Sequence, residues 1–277
     1  MGALTDRLDK NTVTVWLDHS HYAAALFNKG AVPWLEVAEF VSFQRKAQGL
    51  LKSDVVTLPL APACAAWLAA HPELAAMMGS KSRVAFALKT LLADPGLRGH
   101  LVDLAGGLRV GIAGGVFALV LPSPRAWLGL AHAQEHDGAQ ADVDDDDVDG
   151  AAVYVADFLR GFASSGVDAL LLEEAPGFAP FDAQAVALYQ AALNVAENYR
   201  WDVGVRVDGL LSEAAAAALD YAIAASPPPS PRCGVVIDQT FWSDAALAPG
   251  QASSFRYAEI PAQAHPETVL ERLAALR

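Results

Sequence analysis

Cysteine is almost absent from this chain. Its two cysteines, Cys64 and Cys233, stand far apart and form no Cys-x-x-Cys. That excludes a disulfide framework and a thiolate zinc centre, and it fits a reducing cytoplasm. Positive charge is also scarce: 19 lysines and arginines face 32 acidic residues, for a net charge of −13. A nucleic-acid binder needs a basic footprint, and an anionic membrane surface repels such a chain, so neither is an expected partner. No apolar run is long enough to span a bilayer. The most notable, Val110 to Pro122, falls short of the roughly 20 residues required. The opening "MGALTDRLDKN" has no apolar stretch behind it, so no secretory leader is expected. Asp6 stands where a myristoylation signal needs Ser or Thr. There is no Walker loop, no GxGxxG after a strand, no GxSxG and no Cys-His nucleophile pair. No cofactor and no bound metal are expected.

What is present is core. Hydrophobic residues make up 53% of the 277 positions and charged ones 18%, a globular composition that excludes disorder for most of the chain. The patterning alternates between strand and helix. Thr12–Asp18, Asp54–Ala61, Val167–Leu172, Trp201–Val207, Cys233–Gln239 and Phe255–Ile260 read as strands. Leu108 to Pro122 holds two apolar runs around Gly-Gly, which reads either as a hairpin or as a strand, a turn and another strand. Helical spacing marks Cys64–Met78, Ser82–Ala93, Val155-Leu159-Phe162 and Val186-Tyr189-Leu193. "LSEAAAAALDYAIAAS" reads as helix by propensity, and the closing "HPETVLERLAALR" as a helix with Pro266 in its first turn. Seven or eight strands separated by helices imply a parallel sheet covered on both faces. The expected fold is a single-domain (β/α)8 TIM-type barrel over residues 1–277, irregular around 108–122. Such barrels typically run to about 250 residues. An acidic surface loop is expected over 137–150, and a stiff connector over Ser226–Arg232.

In such a barrel the site lies at the carboxyl ends of the strands. The residues there are Asp18, His19 and His21 after the first strand, and Ser123 and Arg125 after the run ending at Pro122. Glu173 and Glu174 end the Val167–Leu172 strand, and Arg206 ends the next. Asp238 and Trp242 follow Cys233–Gln239, and Tyr257 lies on the last strand. Glu173, Glu174 and Asp238 are the candidate catalytic acids and bases. Asp18, His19, His21, Ser123, Arg125, Arg206, Trp242 and Tyr257 are the candidate substrate contacts, with Arg125 or Arg206 as anchor for an anionic group. A buried strand ending in two adjacent carboxylates poses a specific question. Side chains alternate along a strand, so one of Glu173 and Glu174 faces the axis and the other does not. Each is either a substrate group or a structural hydrogen-bonding partner.

"HSH" at His19–His21 is similar to the first-strand HxH of the amidohydrolase barrels, where two histidines on one strand face hold a metal. The later histidines of that family have no counterpart here. Asp145, Asp147, Asp149 and Gly150 match the opening of an EF-hand loop, but Ala156 occupies the position of its bidentate glutamate.

The second half carries a broader resemblance. "VADFLRGFASSGVDALLLEEAPGF", "WDVGVRVDG", "HPETVLERLAALR" and "LVLPSPRAWLG" resemble the barrel superfamily of uroporphyrinogen decarboxylase and cobalamin-independent methionine synthase, over roughly Leu119 to Arg277. Glu173, Glu174, Ala175 and Pro176 are similar to the Asp-Glu-Pro-Ala stretch of the synthase branch, with one residue inserted. Val205, Arg206 and Val207 stand where that branch has its zinc-binding His-x-Cys. "VWLDHSHYAAALF" differs from the arginine-rich motif with which the decarboxylases grip substrate carboxylates. The resemblance implies the fold, the site location and a lyase or transferase acting by acid/base chemistry on a small anionic metabolite. The alternatives are a metal-dependent hydrolase using His19 and His21, and a non-catalytic ligand-binding barrel. Homodimer formation is left open.

Overall fold

The structure, a computed structural model, describes residues 2–277 except 11, 113, 136, 137, 139–141, 175–180 and 244–252. Among the described residues eight strands form one parallel sheet: β1 (Thr14–Asp18), β2 (Val55–Pro59), β3 (Val116–Pro122), β4 (Ala169–Glu173), β5 (Asp202–Val207), β6 (Tyr221–Ala224), β7 (Cys233–Val236) and β8 (Phe255–Glu259). Their order is β1-β8-β7-β6-β5-β4-β3-β2, which curls into a nearly closed TIM-type barrel. The helices begin with α1 (Ala3–Leu8). Then α2 (Ser20–Phe27) and α3 (Val37–Leu51) connect β1 to β2. Four follow before β3: α4 (Leu60–Ala70), α5 (Pro72–Met78), α6 (Val84–Ala93) and α7 (Pro95–Gly111). Between β3 and β4 lie α8 (Pro124–Glu135) and α9 (Asp145–Leu159). After β4 come α10 (Ala183–Leu188) and α11 (Gln190–Tyr199), then α12 (Glu213–Ala217) before β6 and α13 (Pro266–Ala275) after β8. No helix among the described residues is long and apolar enough to cross a membrane.

The strands are apolar on both faces because both are covered; all seven residues of β3 are buried. One set of alternate side chains packs beneath the helices. The other fills the barrel with Trp16, Val55, Ala118, Val120, Ala169, Leu171, Tyr221, Ile223, Phe255 and Tyr257. Aromatic rings dominate this interior: Trp16 lies 6.0 Å from Tyr221 and 6.2 Å from Tyr257, centroid to centroid. Two inward glycines make room for them. A β-carbon on Gly204 would overlap the Tyr221 ring, and one on Gly234 would lie 2.8 Å from the Phe255 ring.

Helix α1 plugs the amino end of the barrel with Leu4 and Leu8. Asp202, the first residue of β5, holds it there. Its carboxylate accepts hydrogen bonds from the Leu4 amide (2.8 Å), the Thr5 amide (3.1 Å), the Gly2 amide (3.2 Å) and the Thr5 hydroxyl (2.8 Å). These satisfy N–H groups that a helix start leaves without partners. The ring closes differently between β1 and β2, where no strand ladder forms among the described residues. Side chains take its place. The Asp54 carboxylate accepts from the Val15 amide (2.8 Å), the Ser53 hydroxyl accepts from the Leu17 amide (3.0 Å), and the Trp16 indole donates to Thr57 Oγ1 (2.9 Å). Only the Asp54 amide, donating to Val15 O at 3.0 Å, adds a backbone bond across the seam.

Three sequence expectations are corrected. The first apolar run of Leu108–Pro122 is neither strand nor hairpin arm: Leu108 is a buried residue of α7, in series with Leu97, Leu101 and Leu104. That helix starts from the Asp94 cap and Pro95, and β3 begins only at Val116, after Gly114 turns the chain at φ +87°. The "LSEAAAAALDYAIAAS" stretch is helical only over Glu213–Ala217. Tyr221–Ala224 is β6, fully buried between β5 and β7. Filling the barrel with Tyr221 and Ile223 outweighs helix propensities of a few tenths of a kcal/mol per residue. The acidic run is not a loop as far as 150. Asp144 caps α9 by accepting from the Asp147 amide at 2.8 Å, Asp145–Asp147 form its first turn, and Val148 is fully buried. Negative charge at a helix start is favourable, so the aspartates open the helix they were expected to precede.

Candidate functional site

Asp18, Glu173, Arg206 and Tyr257 come together at the carboxyl end of the barrel. Each sits on an inward strand position, Asp18 two residues above Trp16, Glu173 above Leu171, Arg206 above Gly204 and Tyr257 above Phe255. Strand pairing sets Glu173 beside Arg206 and Asp18 beside Glu259. The Arg206 Nε donates to Glu173 Oε1 at 3.0 Å, and its Nη1 lies 3.9 Å from Asp208 Oδ1. The guanidinium stands 5.4 Å from the Tyr257 ring centroid. One cation thus has the carboxylates of Glu173, Asp208 and Asp18 around it.

This setting shifts the proton affinities. Burial pushes the Glu173 carboxyl above its usual range. Arg206 pulls it partly back, and Asp18 and Asp208 push it further up. Burial, reinforced by Asp18, Glu173 and Glu259, lifts the Tyr257 phenol well above 10, so it stays a proton donor. Burial works against the charge of Arg206, but Tyr257 and the carboxylates outweigh it and keep the guanidinium ionised.

Glu174 points the other way, into the layer between sheet and helices, where it is 7% exposed. The Ser123 hydroxyl donates to its Oε1 at 2.9 Å, and the Tyr189 hydroxyl donates to its Oε2. Tyr189 also reaches Ser123 Oγ at 3.2 Å, and Ser123 Oγ accepts the Ala126 amide at 3.1 Å. Burial and the Glu174 carboxylate together push the Tyr189 phenol far up, so it donates at any ordinary pH. The backbone joins in, with the Ser123 amide bonding Glu173 O (2.8 Å) and the Glu174 amide bonding Arg206 O (2.9 Å). Glu174 therefore ties the ends of β3, β4 and β5 to the start of α11. Glu174 and Ser123, expected to act on substrate, are here hydrogen-bonded to one another and to Tyr189. Ala175 and Pro176 lie outside the described residues.

The remaining candidates are dispersed. Arg125 lies in the first turn of α8 and pairs with Asp145 at 3.1 Å. Trp242 is buried against Phe241 in the outer core. Asp238 is exposed and caps the short 3-10 turn Gln239–Trp242, accepting from the Thr240 amide and hydroxyl. These bonds hold its carboxyl below the usual range, which makes it a weak base. His19 and His21 do not share a face: α2 starts at Ser20, so strand alternation ends between them, leaving His19 buried and His21 exposed. Burial lowers the pKa of His19 and keeps it neutral, against the pull of Asp18. Among the described residues no group of three or more His, Cys, Asp or Glu side chains is placed to hold a metal ion.

A cavity of about 640 Å³ opens at the opposite, amino end, beneath α11 and β5. Its charged lining is largely committed to the scaffold: Asp202 holds α1, Asp220 accepts the Val203 amide at 2.8 Å, and Arg232 pairs with Asp9 at 2.7 Å. The mouth is the better candidate because its charged groups lie close together and perturb one another. Tyr189 was not anticipated as a partner of Glu174, since it lies in the turn between α10 and α11, away from any strand end. No protein-family model matches the chain, and no curated protein sequence does.

Proposed function

We propose that the barrel mouth is an acid/base site for a small anionic metabolite, in a lyase or transferase of the uroporphyrinogen decarboxylase and methionine synthase superfamily. The Glu173–Arg206 pair carries this reading. It sets a group with raised proton affinity against the guanidinium, among side chains that come from β1, β4, β5 and β8. Arg206 receives the anionic group of the substrate through its fork of donors. Glu173 delivers or accepts the proton, and Tyr257 donates a hydrogen bond to the reacting molecule. The superfamily assignment rests on the resemblance of the second half and is supported by the barrel itself. Free, buried Cys64 and Cys233 fit the reducing cytoplasm that this reading assumes. Thermal-shift screening of small carboxylates and phosphates tests it. A ligand that stabilises the wild type should lose its effect in Arg206→Gln and be neither turned over nor protonated in Glu173→Gln. Ligands whose effect survives both substitutions, or is lost only in Asp238 or His21 variants, would move the site elsewhere.

A further inference from the structure

Arg206 is already engaged. Glu173 on β4 holds it at 3.0 Å, and Asp208 at the end of its own strand lies 3.9 Å away. From across the barrel, Asp18 on β1 acts on both members of the pair and Tyr257 on β8 acts on Arg206, while Glu259 acts on Tyr257. The β3 neighbour of Glu173 is Pro122 and the β6 neighbour of Arg206 is Ile223, neither of which titrates. An anion arriving at Arg206 must therefore displace the Glu173 carboxylate and add its charge to those of Asp18 and Asp208. Taking the reading of the mouth as an anion site, we propose that capture of the anion is proton-coupled: Glu173 takes one proton from solvent as it yields Arg206 to the incoming group. The carboxylate becomes a neutral carboxylic acid and the guanidinium passes from Glu173 to the anion, so the proton offsets one unit of the charge brought in: a singly charged anion leaves the net charge of the mouth unchanged, and sulfate makes it one unit more negative. Burial already raises the proton affinity of Glu173, and Arg206 is what restrains it. Losing Arg206 to an anion removes that restraint and adds a nearby negative charge, and both changes drive protonation. The loaded site then holds an acid beside the substrate, armed by binding itself.

Sulfate is a suitable probe, because its charge is constant near neutral pH. Titration calorimetry of the full chain in two buffers of different ionisation enthalpy counts the protons taken up. The expected uptake approaches one proton per sulfate, with affinity falling toward tenfold per pH unit above the pKa of Glu173. Glu173→Gln should bind sulfate with no uptake and a flat pH profile, and Arg206→Gln should not bind it. Wild-type binding without proton uptake would overturn the coupling while leaving the anion site intact. Uptake that persists in Glu173→Gln would overturn the assignment to Glu173. Failure of sulfate to saturate either wild type or a folded Glu173→Gln would instead defeat the anion-site reading on which the coupling depends. Should Glu173→Gln not fold, the carboxyl carbon-13 resonance of Glu173 in wild type reports the same proton. A protonation shift on adding sulfate supports the coupling, and an unmoved resonance at saturation overturns it.

Discussion

Tyr189→Phe isolates one oxygen atom in the scaffold behind the site. The ring volume hardly changes, so the loss is confined to the hydroxyl that donates to Glu174 Oε2 and contacts Ser123 Oγ. A hydrogen bond to a charged group contributes about 1.5–3 kcal/mol, and its buried acceptor loses that donor here. We expect a loss of about 2 kcal/mol, which for a chain of this size lowers Tm by roughly 4–8 °C. Glu174→Gln keeps an acceptor and the shape but turns charge-assisted bonds into neutral ones, for about 1–2 kcal/mol. Glu174→Ala leaves both hydroxyls facing a cavity and should cost about 3–5 kcal/mol. Because Tyr189 and Glu174 touch, the double variant should fall short of additivity by about 1 kcal/mol. Glu173→Gln, at the half-open mouth, should stay within about 1 kcal/mol of wild type. Urea unfolding followed by circular dichroism at neutral pH measures all five. The division between a scaffold glutamate and a site glutamate fails if Tyr189→Phe and Glu174→Gln both lie within about 0.5 kcal/mol of wild type, or if Glu173→Gln proves the most costly of the glutamine changes.

Asp202→Asn turns an amide N–H₂ toward the donors of α1 and should cost about 2–4 kcal/mol; hydrogen exchange at Leu4 and Thr5 should accelerate with it. Glu173 has a folded pKa above its unfolded one, so its stabilising contribution is present below the unfolded value and is lost as pH rises through the folded one. Glu173→Gln should therefore gain stability relative to wild type as pH rises from the ordinary carboxyl value of 4.5, which paired urea titrations would show; a constant difference would contradict it. His19, with a lowered pKa, opposes the fold once charged, so wild-type stability falls as pH drops below about 6.5. His19→Gln should flatten that fall in a melting series across the same range. Asp144→Ala removes the α9 cap and should cost about 1 kcal/mol in thermal melts, although no substrate group is touched.

The barrel and its strand count were legible because buried parallel strands are continuous apolar runs, and the residues at their carboxyl ends could be read off in advance. The count, however, was reached through two errors that cancel. The β-branched Val110 and Ile112 made the end of α7 resemble a strand, and the alanines around Tyr221 and Ile223 hid β6 inside an apparent helix. Only long-range packing separates these cases, since Tyr221 is a strand residue by virtue of the space that Gly204 leaves for it. At Glu173–Glu174 the alternation was legible but its phase was not. The phase is set by which residues fill the barrel, and the partner that holds Glu174, Tyr189, comes from the turn between α10 and α11. His19 and His21 do not share a face for a local reason: β1 ends at Asp18 and α2 begins at Ser20. Asp238, Trp242 and Arg125 follow strand ends as expected, yet turns and helix starts carry them away from the axis.

A main-chain ladder is indifferent to the identity of the residues it joins, and seven of the barrel's eight joints have that immunity. The β1–β2 joint does not. Besides one backbone bond it is written in Ser53, Asp54, Trp16 and Thr57, so point mutation there can loosen the ring without touching a strand ladder. Asp18 stands at the top of that joint, which makes the rim of the mouth heritable at a few ordinary surface-to-core codons: the circumference of the site can drift in evolution, or be tuned by design, while the other seven joints hold.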